Sequence, residues 1–206
     1  MGNNGWEKRW DGRAKAAALL MAGWVALLWL LEVIDVSTGH ALDAGGITPR
    51  RADELPDILS APFLHGSFGH LAGNTVPLLI LGFVSALSGI RRFASVVLTV
   101  ILVSGLGVWL ISPANSITLG ASGVVFGLFG YLLVRGFVNR SPVDVVVGVV
   151  VAAVYGSILW GVLPTDAGIS WQAHLFGLVG GVSAAFVFRR PTTRAAVTNS
   201  TSPHRF

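Results

Sequence analysis

The chain has 206 residues, 53% of them hydrophobic and 12% charged, with a net charge of +4. A soluble domain carries about a quarter charged residues, and here the apolar residues fall in blocks of about 20, long enough to span a bilayer, so a soluble globular protein is excluded. Cysteine is absent, which excludes disulfides, thiol nucleophiles and Cys-based metal sites, and the basic residues sit at span ends and tails, where membrane topology rather than nucleic acid explains them.

Residues 1–13 form a polar and basic segment that includes Lys8, Arg9 and Arg13. A first span is expected from about Ala16 to Val36, too long for the apolar core of a cleavable signal. Glu32 and Asp35 near its far end are read as solvated at the interface. The connection 40–68 contains Pro49, Pro56 and Pro62. Its Leu55, Ile58 and Leu59 sit at helical spacing, so part of it is expected to lie flat in the interface.

A second span covers about Gly69 to Leu87 and opens with His70 and Asn74. The turn Ser88-Gly89-Ile90-Arg91-Arg92 leads to a third span, about Phe93 to Ile111, ended by Ser112-Pro113. A fourth begins at Ser122 and runs to about Val138. Ser141-Pro142-Val143-Asp144 is a helix start, with Ser as cap, Pro at the first position and Asp at the third. It opens a fifth span to about Val162. A turn at 163–168 precedes a sixth span from about Trp171 to Phe188, and the tail 191–206 reads as disordered.

The fold expected is therefore an all-α polytopic bundle of six transmembrane helices. The N-terminus, the turns at 88–92 and 135–142 and the C-terminal tail hold most of the Lys and Arg, which places both termini in the cytoplasm. Only Arg50 and Arg51 oppose this, in a loop that also carries Asp43, Asp53, Glu54 and Asp57. Trp160 and Trp171 fit an aromatic belt at the interface, with Trp160 alternatively lining an access route between spans two and five.

Helical rise sets the depth of the polar residues. Ser122 lies about 20 Å from Arg135, His174 about 22 Å from Arg189, and Asn74 about 21 Å from Ser88. Three polar side chains on three helices thus share one level, with His70 one turn above Asn74. Polar groups in hydrocarbon are costly and turn inward toward one another. Gly123, Gly127 and Gly130 thin one side of span four, while Ala173, Gly177 and Gly181 give span six a small-residue face. Such faces let helix backbones approach closely in lipid.

Close packing of spans four and six brings Ser122 toward His174, which can then serve as its general base. Ser122 stands at a helix start, where free N–H groups and the positive dipole end offer an anion site. The Asn74 amide and the His70 imidazole can donate to the same anion from span two. No carboxylate stands in span six to orient His174, which suggests a Ser–His dyad rather than a triad. Blander readings exist for each residue. Ser122 can bond back to its own helix, Asn74 can join two helices, and the glycines serve packing in any bundle. Two His and an Asn, without carboxylate or Cys, make a poor metal site, so neither a metal nor another cofactor is expected.

Gly-Ala-Ser-Gly at 120–123, the set His65, His70 and Asn74, and Ala-His-x2-Gly at 173–177 together resemble the rhomboid intramembrane serine proteases. The resemblance covers roughly 14–190 and implies one catalytic domain of six spans. It implies Ser122 as nucleophile and His174 as base, with His70, Asn74 and the Ser122 N–H holding the oxyanion. It further implies that Gly120 and Ala121 form the tight approach to the nucleophile. Gly177 would make the close contact of span six with span four, and His65 would be structural. Members of the family cleave transmembrane helices of other proteins, so membrane-protein substrates are the partners implied, beside membrane lipids. The basic turns and the lack of an evident targeting peptide fit a prokaryotic cytoplasmic membrane. Many members carry Tyr where Phe126 stands, packed on the His; here the ring is kept without its hydroxyl. The Trp-Arg pair common in the first long loop is not evident. A catalytically silent relative that binds membrane helices is the alternative, although such relatives usually lack the Ser or the His.

Overall fold

Inside a bilayer every backbone polar group must find its partner within the protein, so apolar blocks of this length fold as helices. The computed structural model describes residues 4–164 and 168–190, and these form six α-helices and no strand. They are α1 (Asn4–Ser37), α2 (Phe68–Ala86), α3 (Ile90–Ile111), α4 (Ser122–Val138), α5 (Pro142–Tyr155) and α6 (Trp171–Val187). Four stretches are long and apolar enough to cross a membrane: Trp10–Ser37, Phe68–Ala86, Ile90–Ile111 and Pro142–Val162. α4 and α6 are shorter, at 17 residues each. The chain is a polytopic helical membrane bundle, as its composition predicts. The expected tail 191–206 and part of the 163–168 turn lie outside the described residues.

α4 is apolar on all sides and is the most enclosed helix, with Leu128, Phe129 and Leu132 fully buried. It packs most extensively on α6, and also on α2, α3 and α5. Glycines set the α4–α6 spacing. A Cβ added at Gly177 would overlap the carbonyl oxygen of Gly123, and one added at Gly181 would overlap that of Gly127. Two backbones therefore touch directly, as the small-residue faces predict.

The first loop departs from the sequence reading. Glu32 and Asp35 are not solvated: they are 2% and 3% exposed. The chain turns back over the end of α1 through Gly39 and His40, both at positive φ. Asp35 then accepts the Leu42 N–H at 2.7 Å and pairs with His40 Nδ1 at 2.8 Å. The stretch 55–63 does not lie flat as an amphipathic helix either. It makes two 3-10 turns, Leu55–Ile58 and Ala61–Phe63. Ile58 plugs against Gly105 of α3, while Leu55 and Leu59 face outward. Arg50, which opposed the topology pattern, has a local use. Its guanidinium donates to the carbonyls of Leu110 and Ser112 at the end of α3, where the helix dipole favours a cation.

At the α4–α5 corner, Ser141 caps α5 by accepting the Asp144 N–H. The Asp144 side chain does not complete a capping box. It forms a buried salt bridge with Arg135, 2.9 Å long, and Arg135 also donates to Ser88 Oγ. Asp144→Ala leaves a buried guanidinium unpaired and is expected to cost about 3 kcal/mol. The Ser88 bond and the Tyr131 ring 5.7 Å from Arg135 keep the loss at the low end. Unfolding in detergent measures it; an unchanged midpoint would remove this bridge from the account.

Candidate active site

An open cavity of about 1250 Å³ lies between the starts of α2, α4 and α6. Its walls include His70, Asn74, Ser122, Phe126, Trp171 and His174. The three residues placed at one depth by helical rise thus meet in one space. Trp160 is 74% exposed and does not line this cavity.

Ser122 opens α4 because the preceding turn forces the chain to begin there. Gly120 has φ +125°, a conformation that favours glycine, and a Cβ there would sit 2.6 Å from His70 Cε1. Its N–H donates to Ala61 O at 2.9 Å, and the Ala121 N–H donates to His65 Nε2 at 3.3 Å. The turn before Ser122 is therefore pinned by the first loop on both of its amides. The Ser122 N–H comes next in the chain and has no partner among the described residues, as expected of an unsatisfied helix start.

His65 is 2% exposed and stands edge-on to His70, ring centroids 5.2 Å apart. Burial, and secondarily the charge of His70, pushes its pKa down to about 4. A neutral ring is what the Ala121 N–H requires, because only an unprotonated Nε2 accepts. The bond ties the first loop to the turn before Ser122. Asn74 is buried and donates back to His70 O at 3.2 Å. One amide hydrogen is thereby spent on its own helix, and the second has no partner among the described residues. The bond stays within α2, so Asn74 does not join two helices through it.

His174 is 7% exposed and stacked flat on Phe126, with ring centroids 4.0 Å apart and planes 6° apart. Phe126 lies one turn after Ser122 on the same face of α4, so the imidazole is held beside the serine. The ring Nδ1 lies 2.8 Å from Gly161 O. A carbonyl only accepts, so Nδ1 carries the proton and Nε2 keeps its lone pair. No hydrogen bond joins Ser122 Oγ to His174 among the described residues; such bonds are often long before substrate binds. Beside the histidine, Ser104 of α3 donates to Ala173 O at 2.8 Å, fixing the first turn of α6.

Gly161, Ser104 and Ala61 are the supports the sequence reading missed. Gly161 belongs to a stretch expected to be α-helical. α5 instead ends at Tyr155 and tightens into a 3-10 segment, Gly156–Val162, which presents the Gly161 carbonyl. The available signal was a glycine late in an apolar run, and a Cβ there would lie 3.0 Å from both His174 Nδ1 and Phe126 Cζ.

The family model of the rhomboid domain matches residues 52–191. The chain is 44% identical over 179 residues to an uncharacterized protein of Mycobacterium tuberculosis, covering 83% of this chain and 75% of that one. It is 29% identical over 179 residues to the putative rhomboid protease YdcA of Bacillus subtilis, covering 79% and 83%. Similarity to the rhomboid protease GluP of the same organism is 28% over 191 residues, covering 90% of this chain and 37% of GluP.

Proposed function

We propose that this chain, which belongs to the rhomboid family, is an intramembrane serine endopeptidase that cleaves transmembrane helices of other proteins. One observation carries the reading: His174 and Ser122 border one cavity, and Gly161 O fixes the tautomer that leaves Nε2 free as a base. The catalytic unit is residues 14–190, with both termini cytoplasmic and the cavity open toward the outer face of a prokaryotic cell membrane. The basic turns and the bacterial relatives support that orientation and location.

In this mechanism Ser122 Oγ attacks the carbonyl carbon of an unwound substrate helix while its proton passes to His174 Nε2. The charge that develops on the carbonyl oxygen is met by the Ser122 N–H, the second Asn74 N–H and His70. Each such donor contributes about 10²–10³ in rate. The imidazolium then protonates the leaving amine, and water activated by the same Nε2 hydrolyses the acyl-serine. Gly161 takes the orienting place that an aspartate holds in a triad, through a backbone carbonyl instead of a charge.

Labelling of the detergent-purified protein by a fluorophosphonate tests this directly. Covalent labelling is expected on Ser122 and is lost in Ser122→Ala and in His174→Ala. Labelling that survives in Ser122→Ala, or its absence from the folded wild type, favours a silent helix-binding relative. A graded test concerns Gly161. A valine there presses on the stacked pair His174 and Phe126 and should lower kcat by roughly 10–10²-fold, through a displacement under 1 Å. KM should stay nearly constant; a change confined to KM would mean that Gly161 shapes substrate binding instead.

A further inference from the structure

We infer that the end of the bundle opposite Ser122 holds a specific site for the phosphate headgroup of an anionic phospholipid. A recess of about 730 Å³ opens there among the start of α1, the α2–α3 turn and the residues after α6. Arg13, Arg91, Arg92 and Arg190 line it together with Trp10 and Ile90, and no acidic residue belongs to the lining. Arg190 reaches Asp144 at 3.8 Å, a carboxylate already taken by Arg135. The side chains of Arg13, Arg91 and Arg92 have no hydrogen bond or ion pair among the described residues.

Topology alone asks for basic residues at this end, scattered in any arrangement that keeps them in the cytoplasm. It does not ask for four guanidinium groups from three separate segments around one recess, where they repel one another. A phosphodiester removes that repulsion and matches the paired donors of arginine. The recess is also amphipathic. Trp10 is 52% exposed and Ile90 39% exposed, so an indole and an aliphatic side chain flank the cations. A free phosphate engages only the arginines. A phospholipid engages them with its headgroup, rests its glycerol region on Trp10 and runs its chains along the outward faces of the helices. The lipid uses the whole recess.

The test uses the full chain in phosphatidylcholine nanodiscs, titrated with phosphatidylglycerol, with bound lipid counted by native mass spectrometry after release into neutral detergent. One phosphatidylglycerol per chain is expected to be retained in preference to phosphatidylcholine. The variant Arg13→Gln/Arg91→Gln/Arg92→Gln should weaken retention by about 10²-fold, from roughly fivefold per basic residue. The three single variants are titrated beside it, so that loss of fold in the triple variant leaves the inference testable. Equal retention of the two lipids, or retention unchanged in the single and triple variants, overturns it. Displacement of the lipid by millimolar inorganic phosphate, with equal protection against unfolding, overturns the lipid in favour of a soluble anion.

Discussion

Ser122→Ala and His174→Ala are each expected to lower cleavage of a transmembrane substrate by roughly 10⁴-fold or more, with no further loss in the double variant. The large effect follows from roles that cannot be shared. A serine hydroxyl is a weak nucleophile unless a base takes its proton as it attacks. In the proposed mechanism that base is His174 Nε2, since Nδ1 is engaged by Gly161 O. With either partner gone, the proposed oxyanion donors would still polarise a bound carbonyl, so a residual rate above water is expected in all three variants. Asn74→Ala, by contrast, removes one donor and is expected to cost about 10²–10³-fold. Turnover of a fluorogenic transmembrane peptide in detergent separates these levels. Additive losses from Ser122→Ala and His174→Ala would mean that the two residues act in different steps.

The level at which each feature was legible depends on the physics behind it. Hydropathy blocks show the spans because lipid imposes a length and a polarity on every one of them. Counting helical rise finds the common depth of Ser122, His174 and Asn74, because that depends only on local geometry. The glycine faces of α4 and α6 are readable for the same reason, and Gly177 against Gly123 is where they meet. Loops escape this logic. Glu32 and Asp35 look solvated in sequence because nothing local says that Gly39 and His40 will fold the chain back over them. Arg50 contradicts the charge pattern until its partners, the carbonyls of Leu110 and Ser112, are known from tertiary structure. The orienter of His174 was invisible for a chemical reason. A search among side chains looks for a carboxylate, and Gly161 supplies a backbone carbonyl that any residue type possesses. Its glycine identity matters because a Cβ there would press on His174 and Phe126 at 3.0 Å.

Gly177→Val should lower turnover by at least about 10²-fold while the protein remains helical and membrane-inserted. The position is three residues after His174 on α6, and its Cβ would overlap the carbonyl oxygen of Gly123, the residue after Ser122. That contact is backbone on backbone, so no side-chain rotamer can absorb the added carbons; the helices must separate or slide. A shift of about 1 Å at the chemistry costs about 10²-fold, and overpacking of this kind costs about 1–3 kcal/mol of stability. The same movement loosens Phe126 from His174, because their stacking spans the two helices. Gly73 is the comparison, since a Cβ there meets nothing within 4 Å. Gly73→Ala should therefore change stability little. Circular dichroism in detergent, thermal unfolding and turnover distinguish the outcomes. Helical content kept, a lowered midpoint and lost turnover are expected for Gly177→Val. Wild-type turnover in that variant would show that the backbone contact between α4 and α6 does not set the distance between Ser122 and His174.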